Sequence, residues 1–177
     1  MLYKDTRQQK GKHALKERWW DEHGVESETR KLDFGDYMAD GSNVSVDTKA
    51  SIAEVARNLT AEHDRFAREC DRAAEAGYRL VVLVEAGGRY QSIGSLAAWT
   101  SDVCKRCPAY RGRKCRPRMK SQRCVVRGRK PVQGDAVAKA MASFQDRHGV
   151  RFEFCRKEET AARVCELLGI EVDGDGA

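Results

Sequence analysis

The residue types best suited to chemistry lie in one stretch, Leu-Asp-Phe-Gly-Asp-Tyr-Met-Ala-Asp-Gly-Ser-Asn-Val-Ser-Val-Asp-Thr-Lys, at positions 32–49. Its last six residues alternate apolar and polar, the pattern of a strand on which side chains two apart share a face. Ser45, Asp47 and Lys49 are therefore expected to point together, with an acid beside an ammonium. Asp36 follows Gly35 at the entry to a hairpin whose turn is Asp40-Gly41-Ser42-Asn43, and the hairpin is expected to fold Asp36 back toward Asp47. Two converging carboxylates form a hard oxygen site for Mg²⁺ or Mn²⁺, an ion that lowers the pKa of bound water and stabilises charge on a phosphoryl oxygen. Lys49 is placed to orient or deprotonate that water, or to neutralise developing charge. A salt-bridged, solvated Asp-Lys edge on any strand would give the same string, and that plainer reading stands beside the first.

The elements that must position these residues follow from periodicity. Residues 1–5 read as an opening strand ending on a third acid, Asp5, and a polar, basic loop over residues 6–12 leads into a helix over residues 13–23. Leu15 and Trp19, four apart, put Trp19 in the core and leave Trp20 exposed. A second strand is predicted over residues 25–32. After Lys49, Ile52, Val55, Ala56 and Leu59 form a helical stripe with Ser51 as N-cap. A helix over residues 61–76 carries a mostly solvated charged face, from which His63 and Arg65 are candidates to face the cleft.

The run Tyr-Arg-Leu-Val-Val-Leu-Val-Glu at 78–85 reads as a central strand buried on both faces. Helices are predicted over residues 93–99, 134–148 and 158–168, a last strand over 150–155, and a frayed tail over 169–177. This alternation predicts an α/β domain with a mixed sheet. The first three strands are expected to lie antiparallel or nearly so, and the strands holding Leu80 and Phe152 to join through a crossover containing a helix.

Composition narrows the class. The chain of 177 residues has a net charge of +6, yet the segment 104–130 holds twelve Lys and Arg and no acid. Removing those twelve from the 33 basic residues leaves the rest of the chain net negative against its 27 acids. One segment thus carries the positive character, which points to a polyanion such as nucleic acid and away from a membrane surface. No apolar run approaches the roughly 20 residues of a membrane span, and no signal peptide is legible, so the expected location is the cytoplasm or nucleoid.

Four of the seven cysteines fall in the same segment: Cys104, Cys107, Cys115 and Cys124, spaced Cys-x2-Cys-x7-Cys-x8-Cys. Paired thiolates on tight turns suit one tetrahedral Zn²⁺ in a structural role, and a segment this polar has no apolar core of its own to fold around. An iron–sulfur cluster takes the same ligands, and four unrelated thiols are the plain alternative. Cys70, Cys155 and Cys165 read as packed thiols. Around the four cysteines, Arg111, Arg113, Lys114, Arg116, Arg118, Lys120, Arg127, Arg129 and Lys130 suit phosphate contacts, and Tyr110 could stack on an unpaired base.

With Asp5, Arg7, Gly35, Asp36, Asp47 and Lys49 placed, the chain resembles the XPF-type nuclease domain family, a branch of the PD-(D/E)-x-K superfamily. Within it, the chain looks most like the short single-domain members of bacterial and phage genomes. The family's Asp-x-Arg-Glu, Gly-Asp-Tyr/Phe and Glu-Arg-Lys correspond to Asp5-Thr6-Arg7-Gln8, Gly35-Asp36-Tyr37 and Asp47-Thr48-Lys49. Gln8, Asp47 and Thr48 are departures: Asp keeps metal ligation, whereas loss of the Glu and Arg bears on activity or substrate choice.

The resemblance implies a restriction-endonuclease-like mixed sheet flanked by helices over residues 1–168, interrupted by a basic zinc-binding insertion at 100–130. It implies a Mg²⁺-dependent endonuclease acting on branched or flap DNA in recombination, repair or phage replication. Asp36, Asp47 and the Thr48 carbonyl would hold the metal and Lys49 would activate water. Asp5 would ligate or hydrogen-bond from the neighbouring strand, and Arg7 would hold the scissile phosphate. Larger members add a helix-hairpin-helix module and dimerise; no such module is legible here, the basic segment is expected to take its place, and a homodimer stays open. The rival expectation is a catalytically silent DNA-binding scaffold of the same fold.

Overall fold

The computed structural model describes residues 1–7, 13–119, 122–124 and 126–172. Gln8, Lys120 and positions 173–177 of the predicted tail lie outside the described residues. Six strands form one sheet in the order β2-β1-β3-β4-β5-β6. They are β1 (Leu2–Asp5), β2 (Ser27–Arg30), β3 (Tyr37–Ala39), β4 (Val44–Lys49), β5 (Arg79–Glu85) and β6 (Arg151–Cys155). The helices are α1 (Ala14–Glu22), α2 (Ile52–Asn58), α3 (His63–Glu75), the short α4 (Asp102–Lys105) and α5 (Pro108–Arg111), α6 (Gly134–His148) and α7 (Thr160–Leu168). The predicted helix at 93–99 is a single 3-10 turn, Gly94–Ala98. The sheet is mixed and flanked by helices, a restriction-endonuclease-like architecture.

β5 explains the two-layer arrangement. Leu80, Val82 and Val84 pack with Ile52, Val55, Phe66, Met141 and Phe144 from α2, α3 and α6. Val81 and Leu83, on the opposite face, join Leu2, Trp20, Tyr37, Val46, Val164 and Leu168, mostly from α1, α7 and the neighbouring strands. A strand apolar at every position from Leu80 to Val84 is what two covered faces require. Parallel pairing of β5 with β6 follows from the crossover through α6, as expected.

Further expectations fail. β1 pairs with β2 in parallel, register Leu2 with Ser27, while β1–β3 and β3–β4 are antiparallel. Helix α1 lies between β1 and β2, so the chain returns to the same end of the sheet before starting β2, and that crossover makes the pair parallel. β2 is an exposed edge, Ser-Glu-Thr-Arg, whose Arg30 stacks 3.3 Å over the Tyr3 ring; charge on an edge strand discourages pairing with another chain. On α1 the buried face is Lys16 and Trp20, with Trp19 half-buried and Leu15 half exposed. Trp20 Nε1 donates to the Ala161 carbonyl at 3.2 Å, which α7 provides from far along the sequence and local spacing cannot foresee. Ile170 and Val172, placed by sequence in the frayed tail, pack against the same cluster.

Helix boundaries follow local rules. Ser51 Oγ accepts from Glu54 N at 3.2 Å and starts α2 two residues after Lys49, while Gly149, at φ 65°, ends α6.

Candidate metal centre and nucleic-acid interface

Gly35 fixes the approach of Asp36 to β4. Its φ is +67°, and a Cβ there would sit 2.2 Å from Ser45 Oγ and 3.2 Å from the Val46 carbonyl, so a larger residue would push the turn off the strand. The Asp36 amide donates to the Val46 carbonyl at 2.8 Å, and the Asp5 amide donates to the Asp36 carbonyl at 2.9 Å. These two bonds string Asp5, Asp36 and the end of β4 into one line across three strands. Thr48 N and Oγ1 donate to Asp36 Oδ2 at 2.9 and 2.6 Å, fixing that carboxylate against the strand that carries Asp47.

Asp47 and Lys49 share a face, as the alternation predicts. Lys49 Nζ lies 2.6 Å from Asp47 Oδ2 and 2.9 Å from Oδ1. The ammonium therefore sits against both carboxylate oxygens of a buried acid. Burial pushes the Asp47 carboxyl up to about 7; Asp36 and Glu69 push in the same direction, and Lys49 opposes them. For Lys49, burial works against the charge, but Asp47, Asp36 and Glu54 outweigh it and hold its pKa above the ordinary value. The two shifts have different causes: desolvation is the larger at Asp47, whereas acidic neighbours prevail over desolvation at Lys49.

Asp5 is buried and accepts from Arg7 Nε at 2.5 Å and from Leu32 N at 3.3 Å. Arg7 also donates through Nη2 to the Leu32 carbonyl at 2.8 Å, yet more than half of its side chain stays exposed. A guanidinium braced at one edge by acid and carbonyl keeps its other N–H groups for an anion.

Sequence reasoning missed Glu69, which it left among the solvated charges of α3. Glu69 Oε1 accepts from the Gly35 amide at 3.2 Å, and its charge acts on Asp47. Arg65 pairs with Glu62 at 2.5 Å and lies 3.7 Å from Glu69, on the rim of the cleft, whereas His63 turns edge-on to Phe144 of α6. Also missed was Lys16, 3.7 Å from Glu85 and 5.5 Å from the Tyr37 ring centroid. Burial lowers its pKa, against the pull of Glu85 and Asp36. The Lys16 and Trp20 spacing of four was the available signal.

The residues suit a hard cation in donor chemistry: the Asp36 and Asp47 carboxylates lie on neighbouring strand ends, with Glu69 acting on Asp47 from α3. In the second region, Cys104, Cys107, Cys115 and Cys124 all line one small cavity. Burial raises the Cys104 thiol, and the other three thiols add to the rise. Four thiols facing one space suit a soft ion. Among the described residues, however, no three His, Cys, Asp or Glu side chains are drawn into the arrangement that a bound ion imposes.

Cys70, Cys155 and Cys165 are buried, as expected of packed thiols, and burial pushes Cys70 up to about 12. Arg111, Arg113, Lys114, Arg116, Arg118, Arg127 and Arg129 are exposed. Lys130 is half-buried and donates to the Met119 carbonyl.

The six-stranded mixed sheet with helices on both faces defines an α/β domain. The solved structure of XPF from Aeropyrum pernix is similar in fold, with a TM-score of 0.56 at 20% sequence identity. The match covers 96% of this chain and 66% of that one, so the chain spans slightly under two thirds of the length of that structure. No family model matches the chain, and no curated protein matches it. No helix among the described residues is long and apolar enough to cross a membrane.

Proposed function

We propose that this protein is a metal-dependent endodeoxyribonuclease that hydrolyses phosphodiester bonds in branched or flap DNA. The observation that carries the reading is the buried Asp47 carboxylate gripped by the Lys49 ammonium at 2.6 Å, with the Asp36 carboxylate fixed by Thr48 on the same strand and Asp36 and Glu69 both acting on Asp47.

Asp36 and Asp47, with the Thr48 carbonyl, would hold Mg²⁺ or Mn²⁺. When bound, such an ion supplies a water of lowered pKa and a counter-charge for the phosphoryl oxygens. Lys49, held by Asp47, keeps its ammonium at the mouth of the site, where it positions the attacking water and offsets charge in the transition state. Asp5 orients Arg7, whose free N–H groups meet the scissile phosphate. The four cysteines would hold a structural Zn²⁺, and the surrounding Arg and Lys would neutralise DNA phosphates.

The test is cleavage of branched and linear DNA with Mg²⁺ and with EDTA. Nicking of the branched substrate only with the metal is expected. Metal-independent cleavage would overturn the mechanism, and tight binding without cleavage at any Mg²⁺ concentration would favour the silent scaffold instead.

A further inference from the structure

Beside the cysteine cavity lies a second, larger hollow of about 720 Å³, lined by Thr100, Tyr110, Arg111, Arg113, Cys115, Arg116, Pro117, Arg118 and Met119. Its size falls within the roughly 300–1,000 Å³ typical of pockets for single small ligands. Two kinds of surface meet there. Tyr110, Pro117 and Met119 offer an aromatic and apolar floor, and Met119 is nearly half exposed although apolar. Four guanidiniums form the rim, and no acid lines the hollow. Arg111 is fixed by donating through Nε to the Lys105 carbonyl at 3.2 Å.

Arg113 is the one non-glycine residue with positive φ among the described residues, at 57°. It stands at the left-handed cap that ends α5, where the Lys114 amide donates to the Ala109 carbonyl at 2.9 Å, so its exposed side chain is set by the turn, and glycine would suit the same backbone.

An apolar floor with an aromatic ring and an uncompensated cationic rim matches a ligand with a flat face and an attached phosphate. Duplex DNA hides its base faces in the stack, whereas a single strand exposes them. We infer that this hollow seats one unpaired nucleotide of single-stranded DNA, its base against Tyr110 and Met119 and its phosphate among Arg113, Arg116 and Arg118. The inference deepens the DNA-processing reading and rests on it: it gives an unpaired nucleotide a seat on the cysteine segment.

A neighbouring hollow, lined by Ala53, Ala56 and Arg57 of α2 and by Asp102, Lys105 and Arg106, joins the base of this segment to the helix that begins just after Lys49.

The experiment is fluorescence anisotropy of the zinc-loaded protein without added Mg²⁺ and without chelator, with an oligo-dT and a blunt duplex of equal length. Tyr110→Ala should weaken oligo-dT binding about tenfold while duplex binding changes less than about twofold, because stacking is available only to unpaired bases. Tyr110 also lines the cysteine cavity, so two further variants separate stacking from folding. Tyr110→Phe keeps the ring and should bind oligo-dT like the parent. Arg113→Gly suits the backbone and should keep the fold while losing affinity for oligo-dT.

Equal losses on both substrates, unchanged oligo-dT binding by Arg113→Gly, or tighter binding of oligo-rU than of oligo-dT would each overturn the assignment. Failure here is distinct from failure of the nuclease reading, which is read from cleavage in Mg²⁺ and not from this binding step.

Discussion

The acidic end of β4 and the cysteine segment solve opposite physical problems. At the first, Asp5 and Asp47 are buried and every carboxylate is held by strand amides, Thr48, Arg7 or Lys49, so position is fixed. At the second, basic side chains stand in solvent around a small thiol-lined cavity, with two helices of four residues each as the regular structure. Chemistry needs groups held to fractions of an ångström, which a sheet provides. Counterion release needs charge and little else, and a loosely built knob provides it.

If that contrast holds, substitutions at the two regions should separate rate from binding. Lys49→Ala should have the largest effect short of removing a metal ligand: a loss of about a thousandfold or more in single-turnover cleavage, with DNA affinity near the parent's. A loss confined to affinity would move Lys49 out of the chemistry.

Gly35→Ala attacks the same site through the backbone, since its Cβ would collide with Ser45 Oγ at a positive φ. We expect destabilisation of about 2–4 kcal/mol by denaturant unfolding, with cleavage reduced even where the protein stays folded. A variant of unchanged stability would mean that the turn relaxes freely.

The sharper test of the second region is Cys104→Ser with Cys107→Ser. It should remove one equivalent of zinc, loosen the segment and flatten the dependence of log Kd on log[salt], which is about 0.9 per phosphate contact on duplex DNA. Turnover at saturating DNA should survive. Iron in the parent, or an unchanged slope, would contradict the corresponding half of this expectation.

The smallest effect concerns pH. With Asp47 raised from 3.8 to about 7, the folded chain keeps a proton there that the unfolded chain releases, so this group's contribution to stability falls as pH rises between those values. Mg²⁺ competes with that proton. The gain in Tm on adding Mg²⁺ should therefore be larger at about pH 8 than at about pH 5, by about 2 °C or more. Equal gains at both would mean that Asp47 is not a ligand.

Much of the site was legible because its information is local. Gly35, Asp36, Asp47 and Lys49 sit in one hairpin, where period-two alternation and a turn suffice to bring them together. β5 was legible for a similar reason, as an apolar run long enough to be covered on both faces. What stayed hidden is what other elements contribute. Glu69 reaches the Gly35 amide from α3, 34 residues on, and its sequence neighbours look like any solvated helix face. Trp20 is buried because α7 accepts its indole N–H, and β2 is parallel because α1 carries the chain back across the sheet. The hollow beside the cysteines depends on how a segment rich in Arg folds, which composition alone does not determine.

The central claim is that Asp36 and Asp47 hold a catalytic metal, and single-turnover cleavage of branched DNA in Mg²⁺ by the parent, Asp36→Asn and Asp47→Asn tests it most directly. The account predicts cutting by the parent and none above background by either variant, with the folded state retained and DNA affinity equal or slightly raised, because a negative charge facing phosphate is lost. Cleavage by either variant at a rate near the parent's would contradict it.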